Sequence, residues 1–121
     1  MRYPSIAFAA LLMGGCVTTT PIYQWGTYES NLYAGYKDQT KMEELKVGLE
    51  NHIAAMDKTG QKIAPGLYAE LGTLYLQSGD SVKARGMYSR ERDAWPESKG
   101  FMDAMIKNLE RRESARTEAN K

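Results

Sequence analysis

The 121-residue chain has one cysteine, one histidine, no block of like charge and no long apolar run, and each shortage closes a class of function. With Cys16 alone, no disulfide can form within the chain, so its stability must come from packing. A metal centre needs several clustered ligands, and acid–base or nucleophilic chemistry needs a base poised beside a reactive group. His52 is the only histidine and has no free thiol to join it. It falls between Leu49 and Ile53 on the flank of an apolar stripe, a structural or surface position. Neither catalysis nor a cofactor or metal is expected. The 16 basic and 15 acidic residues are interspersed, leaving no electrostatic footprint for nucleic acid. The apolar run from Ile6 to Met13 is far short of the roughly 20 residues that span a bilayer as a helix.

What the first residues do contain is ordered. Arg2 supplies one positive charge, Ile6 to Met13 an apolar stretch, and Gly14-Gly15 small residues directly before Cys16, the arrangement of a cleaved signal peptide over residues 1–15. Met13-Gly14-Gly15-Cys16 resembles the bacterial lipobox, which implies acylation of Cys16 and attachment to a membrane through N-terminal acyl chains. Val17 rather than an aspartate follows Cys16, and resemblance to Gram-negative lipoproteins then implies an outer-membrane protein whose body faces the periplasm. Residues 16–23 lack periodicity and read as a lipidated tether.

From there the spacing is helical throughout, and 42% hydrophobic with 26% charged residues suits one small domain over residues 24–110. Trp25, Tyr28, Leu32 and Tyr36 predict a helix over about 24–37. Thr40 is expected to cap a second helix, with Glu43 closing a capping box; Met42, Leu45, Leu49, Ile53 and Met56 form its stripe, and Gly60 ends it. Pro65 suits the first turn of a third helix carrying Tyr68, Leu71 and Tyr75 and ending at Gly79. Asp80 or Ser81 caps a fourth that stops before Pro96, and Ser98 a fifth carrying Phe101, Met102, Met105, Ile106 and Leu109. Residues 111–121 have no apolar period and are expected to fray as a flexible tail. The fold class is therefore all-α, with about five antiparallel helices.

An internal period joins these helices. Residues 65–98 resemble a tetratricopeptide repeat: Tyr68, Leu71-Gly72 and Tyr75, then Gly79-Asp80 in the turn, then Ala84, Tyr88 and Pro96, with Glu91 departing from the small residue the motif prefers. Gly72 and Ala84 are expected to let two helices approach closely while the large residues fill the seam. Trp25, Tyr28, Leu32 and Leu45 repeat the template 43 positions earlier, with Gly48 as the small residue. Met102, Met105 and Leu109 repeat it 34 positions later, making the fifth helix a cap.

The mature chain as a whole, with Tyr23-x-Trp25-Gly26-x-Tyr28-Glu29, Leu32-Tyr33, Pro65-Gly66-Leu67, Leu71-Gly72 and Pro96-Glu97-Ser98, is similar to a family of small bacterial lipoproteins with a domain of unknown function of tetratricopeptide type. The resemblance implies genes placed beside a lipoprotein similar to the curli secretion channel component, hence a neighbouring envelope lipoprotein as partner. Resemblance to tetratricopeptide domains further implies a protein-binding face made by Tyr23, Ser30, Tyr33 and Ala34 on the first helix and Ala69, Thr73, Leu76 and Gln77 on the third. Tyr33 and Leu76 lie outside the core stripes, where they form a binding face, are merely surface residues, or belong to a broader core. The expected function is a protein-binding accessory or scaffold of an envelope complex. Self-association as a homo-oligomer is the rival, and a cell-wall hydrolase comes last.

Overall fold

The computed structural model describes residues 21–121, and all regular structure among them is helical. Residues 1–15, expected to be a signal peptide, and Cys16, expected to be lipidated, lie outside the described residues. Five helices follow in order: α1 Tyr28–Lys37, α2 Met42–Thr59, α3 Leu67–Gln77, α4 Ser81–Ala94 and α5 Lys99–Ala119. Short 3-10 turns, Gln39–Lys41 and Pro96–Ser98, precede α2 and α5. Each helix packs on the next, α1 on α2, α2 on α3, α3 on α4 and α4 on α5. No helix among the described residues is long and apolar enough to cross a membrane.

The apolar stripes become two clusters. Leu45, Leu49, Ile53 and Met56 of α2 pack on Leu67, Tyr68, Leu71 and Leu74 of α3, with Ile63 and Ala64 from the connection. Ala84 and Tyr88 of α4 pack on Met102 and Leu109 of α5. Tyr75 is the shared member, packed against both, and its hydroxyl donates to Glu50 Oε1 of α2 at 2.5 Å. Burial, reinforced by that bond, pushes the Tyr75 phenol up to about 12. Arg90 of α4 reaches back to α2, donating to both oxygens of Asp57 at 2.9 and 2.8 Å and to the Tyr68 hydroxyl at 3.0 Å. The ion pair is partly solvated, so it contributes about 1 kcal/mol at most.

The helix ends differ from expectation in instructive ways. α1 begins at Tyr28, not near 24, because Gly26 takes a left-handed φ of 57° and the Gln24 carbonyl is held by His52 Nε2 at 3.0 Å. Residues 21–27 instead form a strap, in which Tyr23 meets Trp95 edge to face at 5.5 Å and Trp25 stacks on Tyr28 at 6.1 Å. Thr40 does not cap α2. Asp38 accepts from the Thr40 amide and hydroxyl at 2.9 and 2.7 Å and opens the 3-10 turn, and Glu43 pairs forward with Lys46 at 2.7 Å. Gly60, at φ 66°, closes α2 as its spacing predicts. Pro65 lies in the turn before α3, whose N-cap is Gly66. Asp80, not Ser81, caps α4 through the Lys83 amide at 2.9 Å.

Two departures concern α5. Ser98 stands at its N-cap position but turns its hydroxyl away, donating to Glu91 Oε1 at 3.2 Å. The same oxygen accepts the Gly66 amide at 2.8 Å, so buried Glu91 ties the start of α3 to the start of α5. The second is length: instead of fraying from Arg111, the helix continues to Ala119. Glu113 supplies the reason, because it accepts from Ser81 Oγ at 2.7 Å and from Arg85 Nη1 at 2.9 Å and so docks the tail on α4.

Candidate functional site

Between α1 and α3 the chain leaves an open groove of about 260 Å³. Its floor is apolar, from Leu32 and Gly35 of α1 and Met42 at the head of α2. Its rim is polar: Gln39 of the 3-10 turn, and Glu70 and Gln77 two turns apart on α3. Tyr36, 84% exposed, stands at its edge. A shallower depression shares Gln39, Met42 and Gln77 and carries the groove past Leu74 to Ser78. Local sequence explains the opening. The 3-10 turn fixed by Asp38 carries the chain from α1 into α2, and Gly35 lets Met42 approach so closely that a Cβ there would lie 2.8 Å from its sulfur.

The groove's electrostatics centre on Glu70. Among the described carboxylates that are at least partly buried, Glu50, Asp80, Glu91, Asp103 and Glu113 each have a hydrogen bond or a cation. Glu70 has neither, and burial raises its pKa above the ordinary carboxylate value. Tyr28 beside it also titrates high, chiefly through burial and then through the Glu70 and Tyr36 charges. One end of the groove is therefore an uncompensated, half-buried negative site flanked by tyrosines.

Of the eight residues assigned to a binding face, Gln77 alone lines this groove. Tyr23 lies on the strap against Trp95, not on α1. Ser30 donates to the Thr27 carbonyl at 2.9 Å, Ala34 is half-buried, and Tyr33 is 63% exposed beneath Lys37 Nζ, which sits 4.7 Å from its ring. Ala69 and Leu76 pack against the α4–α5 cluster, so Leu76 is part of the broader core. Thr73 turns to the same seam, where its hydroxyl donates to the Ala69 carbonyl at 3.0 Å and lies 3.1 Å from the Tyr88 hydroxyl. Sequence reasoning passed over Glu70, although it is the only charged residue of α3 and stands among mostly apolar neighbours. Among the described residues no group of three or more His, Cys, Asp or Glu is placed to hold a metal ion.

Residues 22–105 match the model of the domain of unknown function DUF4810, from the strap through the first turns of α5. The chain belongs to this family. Every residue lining the groove falls inside the matched region. No curated protein matches the chain significantly, and no solved structure does.

Proposed function

We propose that this member of the DUF4810 family is a lipoprotein held on the outer membrane through Cys16, facing the periplasm, and that its helical body docks a partner protein as an accessory of an envelope complex. The order of charge, apolar stretch, small residues and Cys16 in residues 1–16 supports the anchor. The α1–α3 groove supports docking, because it combines an apolar floor with a polar rim whose side chains have few commitments of their own. Tetratricopeptide-like spacing around Gly72 and Tyr88 agrees with a binding module rather than an enzyme. The family resemblance, with the gene neighbourhood it implies, makes a lipoprotein similar to the curli secretion channel component the first partner to test.

The anchor is tested by growing cells with labelled palmitate. Label should enter the wild-type chain and fractionate with the outer membrane, while Cys16→Ala should carry none and remain uncleaved or soluble. Equal labelling of the two chains would sink the lipoprotein reading.

A further inference from the structure

We infer that the α1–α3 groove takes an arginine side chain from an extended segment of another protein, with the Glu70 carboxylate receiving the guanidinium. This deepens the docking function proposed above and rests on it. At about 260 Å³ the groove is smaller than the roughly 300–1,000 Å³ of small-molecule sites, and it suits one long side chain. Leu32 and Met42 give the methylene stem an apolar bed, and the Tyr36 ring at the edge offers a face on which a planar guanidinium stacks. Gln39 and Gln77, one on each side, each carry an amide donor and acceptor, the pair a passing peptide main chain requires.

Charge complementarity decides the occupant. Glu70 has no cation or hydrogen bond among the described residues, and burial disfavours its ionised form. Arginine supplies two parallel donors and a charge, which together offset that burial. Among the described residues the chain does not provide one itself. The neighbouring cations are engaged, Lys37 over Tyr33, Lys41 with Glu44 and Lys46 with Glu43. Residues 1–20 contain one, Arg2, in the segment expected to be removed.

The test uses the full mature chain in detergent and fluorescein-labelled degenerate heptapeptides whose central residue is fixed as arginine, norleucine or glutamate. Anisotropy should show binding of the arginine set and little of the other two. Glu70→Gln should weaken it about ten- to a hundredfold, the loss of a charge-assisted hydrogen bond. The variant should fold at least as well as wild type, because it removes an unpaired half-buried charge. Glu70→Lys should turn the preference to the glutamate set, which a merely structural Glu70 would not do. Equal binding of the arginine and norleucine sets, or indifference to Glu70→Gln, would overturn the proposal.

A photoreactive residue at Gln77 in intact cells separates the two levels. An adduct that disappears with Glu70→Gln supports the arginine site. An adduct with another protein that survives Glu70→Gln leaves docking standing and overturns the arginine site, and an adduct with a second copy of this chain overturns the partner assignment. With neither an adduct nor peptide binding, both readings fall.

Discussion

At the scale of single residues, the seam between α3 and α4 is set by one missing side chain. A Cβ on Gly72 would lie 2.8 and 2.9 Å from two ring carbons of Tyr88 and 3.1 Å from the Ala84 carbonyl oxygen. Tyr88 is 1% exposed and its hydroxyl is engaged with Thr73, so the ring has nowhere to move, and the carbonyl belongs to a helix. In an open helix Gly→Ala stabilises by up to about 1 kcal/mol. Here overpacking should outweigh that gain. Gly72→Ala is expected to lose about 1 kcal/mol and Gly72→Leu about 3 kcal/mol, read from urea denaturation midpoints at constant slope. A Gly72→Ala chain more stable than wild type would show that the helices do not approach as closely as this geometry requires. Glu91 belongs to the same scale. A carboxylate is tolerated where the repeat pattern prefers a small residue because it carries the polar tie between Gly66 and Ser98 instead of filling space.

At the scale of elements, helix existence was legible, as were the ends set by Gly60 and Asp80, but the ends set by distant partners were not. The stripes of α2 and α3 are almost wholly buried, so period alone placed them. Ends depend on partners far along the chain: α1 starts late because of His52, 28 residues from Gln24, and α5 ends late because Glu113 reaches Ser81, 32 residues away. The groove was hidden for a related reason, since its rim is contributed by α1, a 3-10 turn and α3 at once, and repeat spacing pointed to Gln77 alone. Spacing also could not tell that Leu76 faces the α4–α5 cluster, because its burial depends on how that cluster packs beside α3. The α5 tail gives an acid-sensitive prediction. The Ser81 hydroxyl, and then Arg85, hold the Glu113 carboxyl below its ordinary 4.5. A carboxylate with a depressed folded pKa stabilises above its unfolded value, and that contribution is lost as pH falls through the folded one. Helical Cα shifts of residues 111–119 should thus persist at neutral pH and decay on acidification below 4.5. In Glu113→Gln they should already be diminished at pH 7, with little further acid dependence. Shifts identical to wild type in that variant would mean that the tail's helix does not depend on the dock.

At the scale of the whole molecule, two small cores meet along the α3–α4 seam and have Tyr75 in common. The α2–α3 cluster and the α4–α5 cluster both contact Tyr75, and its bond to Glu50 adds a polar link to α2. Beyond it the halves are tied by the close α3–α4 seam at Gly72, Ala84 and Tyr88, by Ala69 and Leu76 on the α4–α5 cluster, by Arg90 on Asp57, by Glu91 between Gly66 and Ser98, and by the strap's Tyr23 on Trp95. In chains built from stacked helical units, cooperativity comes from the interfaces between neighbours and fails where one is weakened. Tyr75→Phe should keep the packing and lose only the bond to Glu50, at a cost of about 1 kcal/mol. Tyr75→Ala should cost about 2 to 4 kcal/mol, because it empties a half-buried position against both cores. It should also change the manner of unfolding. In wild type the slowest amides of α2 and α5 are expected to exchange through one common opening, with the same free energy and the same response to urea. In Tyr75→Ala those of α5 should open first, at a lower free energy, while α2 and α3 retain protection. Hydrogen exchange read by mass spectrometry on fragments from α2 and α5 distinguishes the outcomes. A uniform loss of protection across both helices would show that the remaining ties suffice to keep the molecule one cooperative unit, and that Tyr75 contributes stability without coupling the cores.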